Sequence, residues 1–206
     1  QAWWATEKPT FQFPKLLVRP RTRSFERLIY GHASTYYGLP LYAKRLVFVI
    51  DSSGSMDGLR IEAAKRELSS AVDALKANVS FGIVVFNTGV DAWRRELVEA
   101  TTANKKSALR FINLIGCTGQ TATYDGLQAA FLVDAEAIYL LTDGEPSTGR
   151  YVLPEEIVKA ITLQNRARRE SIYTIGIGPG DVGSVFEVFL QALAYQNFGL
   201  YRRVDE

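Results

Sequence analysis

The sequence predicts an α/β protein with a doubly wound, mostly parallel central sheet and helices on both faces, a Rossmann-like arrangement. Two observations support this fold class. Continuously apolar runs of strand length recur along the chain, as expected for strands that are covered on both faces. Between them lie longer segments whose apolar residues recur at the spacing of one helix face. Strands that alternate with such helices are joined by right-handed crossovers and pair in parallel.

Five apolar runs are predicted to form the strands of this sheet: 46–50, 81–86, 137–142, 171–177 and 200–204. A sixth segment, 91–97, is predicted to be one short antiparallel edge strand. The amphipathic segments predict five helices: 59–75, 103–115, 124–133, 154–169 and 182–195. The fourth of these begins with Pro-Glu-Glu, where a missing N–H and negative charges suit the unpaired donors of a helix start.

The chain is predicted to contain one domain with an appendage. Its 206 residues, 47% of them hydrophobic, suffice for one buried core. Residues 1–43 are predicted to be an irregular N-terminal arm, or the tail of an upstream region, and residues 44–206 to form the domain. We expect the arm to lie against the domain through its aromatic side chains, Trp3, Trp4, Phe11 and Phe13.

Composition argues against several classes of function. The net charge is only +2 and the basic residues are scattered, so we expect no nucleic-acid partner. No apolar run reaches the ~20 residues of a spanning helix, so we expect no membrane insertion. One cysteine, Cys117, and one histidine, His32, make a zinc site of these residue types improbable, so a metal would need oxygen ligands. Both an extracellular or cell-envelope location and a cytoplasmic one fit the sequence.

Three polar loops carry the candidate chemistry. They are DSSGS at 51–55, GQTATYDGL at 119–127 and LTDGE at 141–145. The first and third directly follow predicted buried strands, and the second lies at a helix start. Doubly wound folds bind ligands beyond the carboxyl ends of their strands. We therefore expect the three loops to meet at one edge of the sheet.

The spacing within the first loop favours convergence of its oxygens. In an extended turn, alternate residues point the same way, so Asp51, Ser53 and Ser55 can face one point while Ser52 points away. With Thr121 and Asp143 the set has five oxygen-bearing side chains and two formal charges. This set suits Mg²⁺, with Mn²⁺ or Ca²⁺ as alternatives. Taken alone, D-x-S-x-S fits a helix cap and turn about as well.

The motifs DSSGS, GQTATYDGL and LLTDGEP, with IGIG at 175–178, resemble those of the von Willebrand factor A domain with a metal-ion-dependent adhesion site, of a bacterial type. The likeness extends from residue 46 to residue 204. It implies that Ser53, Ser55 and Thr121 contact a metal directly. It also implies that Asp51 and Asp143 act directly or through water. The loop 116–120, GCTGQ, departs from the plain Gly-Gly of many members.

The resemblance gives the other loop residues supporting roles. The structural positions would be Gly54, Gly119 and Gly144. The acids outside the ligand shell, in outer-shell or capping roles, would be Asp125 and Glu145.

The function predicted from these features is divalent-cation-dependent protein binding, as an adhesion or scaffold module. The metal would coordinate a Glu or Asp carboxylate of a protein partner, and the isolated domain would be monomeric. One alternative is a metal site that only stabilises the fold. Another is a metal-assisted hydrolase, which we disfavour because no second acid lies two residues from Asp51 and no acid–base pair lies near the loops. We therefore predict that the protein is not an enzyme.

Overall fold

The structure is a computed structural model that describes residues 34–205. Predictions that concern Trp3, Trp4, Phe11, Phe13 and His32 lie outside these residues. The structure of residues 34–205 also does not test the predicted division of the chain at residue 43.

The described residues contain nine strands. They are β1 (Thr35–Tyr36), β2 (Leu39–Pro40), β3 (Arg45–Asp51), β4 (Ser80–Phe86), β5 (Val90–Ala92), β6 (Val98–Glu99), β7 (Ala137–Thr142), β8 (Ser171–Ile177) and β9 (Tyr201–Val204). Strands β1 and β2 form a separate antiparallel hairpin, and the other seven form one sheet.

Five α-helices and one 3₁₀ turn occupy the same region. They are the 3₁₀ turn Gly54–Met56, α1 (Leu59–Ala74), α2 (Thr102–Asn113), α3 (Thr123–Ala130), α4 (Pro154–Arg168) and α5 (Val185–Tyr195). Helix α5 begins three residues later than predicted, because the Ser184 hydroxyl caps it by accepting the Glu187 N–H.

The predicted fold class is confirmed. The sheet has the order β5-β4-β3-β7-β8-β9, and β3, β4, β7, β8 and β9 all pair in parallel. The chain passes from β3 to β4 on one side and later returns to β7 on the other side of β3. The strand order therefore reverses at β3, and the crevice for a ligand is expected between the carboxyl ends of β3 and β7.

The prediction of a single edge strand at 91–97 was wrong in detail, since two short strands pair antiparallel with β4. Ala92 pairs with Val84 and Val98 pairs with Phe81, so the five edge residues 93–97 lie opposite only the two residues 82–83 of β4. The surplus residues leave the sheet as an exposed loop. It contains three charged side chains, which favour solvent over pairing.

Two apolar clusters cover the two faces of the sheet. One contains side chains of α1, α2 and the β1–β2 hairpin together with one set of alternating sheet residues. The other contains side chains of α3, α4 and α5 with the opposite set. Among the described residues, no helix is both long enough and apolar enough to span a membrane.

The β1–β2 hairpin packs into the core on one face of the sheet. Tyr36 is fully buried and contacts Phe48 and Tyr139 edge-on, with ring centroids 5.1 Å and 6.3 Å away. The Tyr139 hydroxyl donates to the Pro40 carbonyl oxygen at 2.7 Å. On this face the hairpin therefore covers strands β3 and β7.

We expect Tyr36→Ala to lower the free energy of unfolding by about 3–5 kcal/mol, the usual cost of deleting a buried aromatic side chain. The Tyr36 hydroxyl is buried and has no partner within the described residues. Tyr36→Phe should therefore keep or increase stability. Urea denaturation checks both variants, with Tyr195→Ala, which lies at a 42% exposed position, as the control. Equal stability of Tyr36→Ala and wild type would contradict this account of the hairpin.

Candidate metal-binding site

The candidate site lies where the strand order reverses. Strand β3 ends at Asp51 and the neighbouring β7 ends at Thr142, so the loops that follow both strands leave the same edge of the sheet. The register pairs Ile50 with Leu141, which sets Asp51 beside Thr142. Parallel pairing thus brings the first and third predicted loops together.

Asp51 is buried and held at both carboxylate oxygens. Its Oδ1 accepts the Ser53 N–H at 2.8 Å, and its Oδ2 accepts the Thr142 hydroxyl. Thr142 is itself fully buried, and sequence reasoning missed its role. A threonine at the end of an apolar strand is the only signal in the sequence, and it does not reveal the partner. Thr142 fixes the orientation of the Asp51 carboxylate.

Burial raises the pKa of Asp51 to about 6, because a charged carboxylate is poorly solvated there. The hydrogen bonds from Thr142 and Ser53 oppose this rise, and the negative charge of Asp143 adds to it. Asp51 is therefore a carboxylate whose charge is costly in the absence of a compensating positive group.

Three of the predicted oxygens are connected in one chain of hydrogen bonds. The Ser53 Oγ and Ser55 Oγ atoms lie 3.1 Å apart, and the Ser55 hydroxyl donates to Asp143 Oδ1 at 2.7 Å. Ser53 and Asp143 are buried, whereas Ser55 is exposed. The exposed Ser55 therefore links two buried oxygens, and Ser53 and Ser55 face each other as the alternate spacing predicts.

Arg60 completes this chain and was not predicted from the sequence. Its Nη1 donates to Asp143 Oδ2 at 2.7 Å and to the Ser55 carbonyl oxygen at 3.3 Å. Arg60 is the second residue of α1, five residues beyond Ser55. A basic residue in the first turn of a helix carries no signal of its own, because only the fold brings it to Asp143.

The loop that carries Thr121 is joined to the first loop by backbone hydrogen bonds. The Gly54 N–H donates to the Gly119 carbonyl oxygen at 3.1 Å, and the Thr118 N–H donates to the Ser52 carbonyl oxygen at 2.9 Å. Gly119 has a φ of +73°, and a Cβ there would lie 2.4 Å from Thr88 Oγ1. The predicted structural role of Gly119 therefore has a steric basis.

Thr121 itself is held by Ser147. The Thr121 N–H donates to Ser147 Oγ at 3.0 Å, and the Ser147 N–H donates to the Thr121 carbonyl oxygen at 3.0 Å. Within residues 34–205, no hydrogen bond joins the Thr121 hydroxyl to the other four predicted ligands. The fold brings Thr121 to the same edge and leaves its hydroxyl oxygen available.

Asp125 and Glu145 behave differently from each other. Asp125 accepts the Arg150 N–H at both carboxylate oxygens, at 3.3 and 3.4 Å, and so braces the loop that follows β7. Glu145 is exposed, and no hydrogen bond ties it to the site within the described residues. A supporting role is thus visible for Asp125 only.

Ser52 points away from the other serines, as predicted, since its hydroxyl donates to the Phe86 carbonyl oxygen at 3.1 Å. Met56 ends the 3₁₀ turn that leads into α1 and is fully buried in the core. Cys117 is partly buried against the same core, and burial raises the pKa of its thiol to about 11. Ser52, Met56 and Cys117 therefore support the loops structurally.

The residues present fit a hard cation. They offer two carboxylates and three hydroxyl oxygens, the ligand types that Mg²⁺ prefers. The Ser55 hydroxyl donates its hydrogen to Asp143 and accepts the Ser53 hydroxyl, so one of its two lone pairs remains to face a cation. In the described part of the chain, no three His, Cys, Asp and Glu side chains gather closely enough to hold a metal without hydroxyl ligands.

Comparison with known proteins identifies the family of the chain. The family model described as "von Willebrand factor type A domain" matches residues 44–203. Inter-alpha-trypsin inhibitor heavy chain H3 of Mesocricetus auratus is 34% identical over 182 residues, which cover 82% of this chain and 20% of that protein. Heavy chain H4 of Homo sapiens is also 34% identical, over 187 residues, which cover 82% of this chain and 19% of that protein. The chain thus spans about a fifth of the length of these relatives.

Solved structures agree on the fold. A von Willebrand factor type A protein from Catenulispora acidiphila superposes with a TM-score of 0.68 at 22% identity, covering 79% of this chain and 38% of that one. At this level of identity, the likeness supports the fold alone.

We expect the cation-free protein to lose stability as the pH rises from 5 to 8. The folded state binds the Asp51 proton more tightly than the unfolded state, whose carboxyl has its ordinary pKa of 3.8. The stability that this proton contributes is therefore present at low pH and is lost as the pH rises through about 6. The Asp51 share of this loss is about 1 kcal/mol over that range.

Urea denaturation of wild type and Asp51→Asn in the presence of a chelator measures this effect. The pKa of Glu170 is also raised by burial, so the difference between the two proteins isolates Asp51. Identical pH profiles for wild type and Asp51→Asn would contradict the buried, destabilised carboxylate.

Proposed function

Since the chain belongs to the von Willebrand factor type A family, we propose that it is a protein-binding module whose binding depends on a divalent cation at the Asp51–Asp143 site. Domains of this family are in general protein-interaction modules. The observation that carries the proposal is the connected set Ser53, Ser55 and Asp143, in which the exposed Ser55 links two buried residues. A ligand of the cation could approach from the side of Ser55.

The proposed ligands are the five residues predicted from the sequence: Asp51, Ser53, Ser55, Thr121 and Asp143. Three of them are neutral hydroxyls, so a bound Mg²⁺ would keep enough Lewis acidity to attract a further carboxylate. Mn²⁺ and Ca²⁺ are the alternative cations. Thr142 and Ser147 would act as positioning residues for Asp51 and Thr121, respectively.

The proposed partner is a protein that presents a Glu or Asp side chain. Its carboxylate would complete the shell of the cation, so the cation and the partner would each raise the affinity for the other. The domain by itself is proposed to be a monomer. Its bacterial type stays a prediction.

Two alternatives lead to different expectations. If the cation only stabilises the fold, it would bind without changing any partner's affinity. For a hydrolase, Asp51 would have to act as nucleophile or base. Its carboxylate is buried and both oxygens accept hydrogen bonds, so it is poorly placed to attack a substrate. We therefore propose a binding function without catalysis.

Addition of Mg²⁺ or Mn²⁺ should raise the melting temperature of the wild-type protein in a thermal-shift titration. At a hundredfold excess over the dissociation constant, binding adds about 2.7 kcal/mol, or roughly 5–10 °C for a domain of this size. Ser53→Ala removes a proposed ligand and should abolish most of the shift. Ser52→Ala is the matched control, because the Ser52 hydroxyl donates to the Phe86 carbonyl oxygen and is not a proposed ligand. Equal shifts for the two variants would refute the proposed ligand set.

Partner binding should disappear when the cation is removed. The protein is immobilised and partners are captured in Mg²⁺, then challenged with EDTA. Specific partners should be released by EDTA and should not be captured by Asp51→Ala, whereas Ser52→Ala should behave as wild type. Capture of partners that persists undiminished in EDTA would refute the proposal of cation-dependent binding. Metal binding with no effect on capture would favour the purely stabilising role.

A further inference from the structure

Arg60 places a fixed positive charge inside the proposed cation site. Its Nη1 lies 2.7 Å from Asp143 Oδ2, and the Asp143 side chain is fully shielded from solvent, while that of Arg60 is 32% exposed. A charge-assisted hydrogen bond to a buried carboxylate is stronger than an exposed ion pair. Arg60 is thus a partner of a proposed ligand, and it belongs to none of the predicted motifs.

Both oxygens of Asp143 are occupied in this arrangement. Oδ1 accepts the Ser55 hydroxyl and Oδ2 accepts Arg60. The Ser55 hydroxyl can keep its bond to Asp143 while its remaining lone pair faces a cation, because donor and acceptor sites on a hydroxyl are separate. A guanidinium has no lone pairs to offer, so Arg60 can only oppose an incoming cation.

The charges around the site make this opposition significant. Asp51 and Asp143 supply the negative charge, and Arg60 cancels half of it when both acids are ionised. Of the other charged groups close by, Lys65 pairs with Glu62 at 3.2 Å, and Asp57 is exposed. Neither replaces the direct contact between Arg60 and Asp143.

We propose that Arg60 determines the cation affinity of this site by competing with the cation for Asp143. The inference rests on the proposed function, because it concerns the same site. A cation that binds either separates Arg60 from Asp143 or tolerates a second positive charge beside it. In both cases the site binds cations more weakly than its oxygen ligands alone would allow. The pair also holds Asp143 in place and charge-balanced when no cation is bound.

Calorimetric titration with Mn²⁺ and Mg²⁺ tests the proposal directly. We compare wild type, Arg60→Gln, Arg60→Lys and Arg66→Gln, the last being the same change at an exposed position on the same helix. Even at the dielectric constant of water, a unit charge ~6 Å from a divalent ion changes its affinity about tenfold. We therefore expect Arg60→Gln to bind both cations about tenfold or more tightly than wild type. Arg60→Lys and Arg66→Gln should stay close to wild type.

Salt provides a second readout. The ratio of dissociation constants between wild type and Arg60→Gln should shrink as ionic strength rises, because added salt screens the charge of a partly exposed guanidinium. A purely structural effect of the substitution would leave that ratio unchanged. Circular dichroism in EDTA checks that all variants are folded.

The outcomes separate this inference from the proposed function. If wild type binds cations and Arg60→Gln binds them equally or more weakly, the inference is overturned while the cation site stands. If only Arg60→Gln binds, the inference is supported in its strongest form, since Arg60 then blocks the site in the wild-type protein. If neither protein binds a cation, the inference and the proposed cation-dependent function both fail.

Discussion

The hydrogen bond from Thr142 to Asp51 is the contact on which the site depends. It joins the carboxyl ends of two neighbouring parallel strands, β3 and β7, at the point where the strand order reverses. Because Asp51 is buried there, its charge is costly and its orientation is fixed. The polar loops that follow both strands are then held within hydrogen-bonding distance of each other. The rest of the site is built outward from this pair towards solvent.

The protein itself compensates part of the charge of the site. Arg60 pairs with Asp143, one of the two carboxylates, and the hydroxyls of Ser53 and Ser55 are used to orient other oxygens. Such a site is stable without a ligand, yet it keeps hydroxyl lone pairs that can accept a cation. Arg60 and Thr142 each hold one acid of the site, although Arg60 belongs to none of the motifs and Thr142, within LTDGE, was not a predicted site residue. They act through Asp143 and Asp51, respectively.

The order and type of the main elements could be predicted because each leaves a periodic pattern in the sequence. Buried parallel strands are continuously apolar and helices repeat every three to four residues, so β3, β4, β7 and β8 and all five helices were anticipated. The hairpin at 35–40 was not anticipated, and the antiparallel edge at 90–99 was predicted as one strand where there are two, since strands of two or three residues are too short to show a period. The edge divides because its five residues 93–97 lie opposite only two residues of β4, a mismatch of register that only the paired strand reveals.

The sequence by itself determined the fold class and the five proposed ligands. Their loops carry small oxygen-bearing residues at the ends of recognisable strands, and alternate spacing makes the first loop converge. Only the tertiary structure decided what surrounds those ligands: the burial that raises the pKa of Asp51, the Thr142 and Ser147 hydroxyls that orient Asp51 and Thr121, and the Arg60 charge on Asp143. These are contacts between residues far apart in the chain. No local pattern encodes them, because pairing of the strands and packing of α1 bring them together.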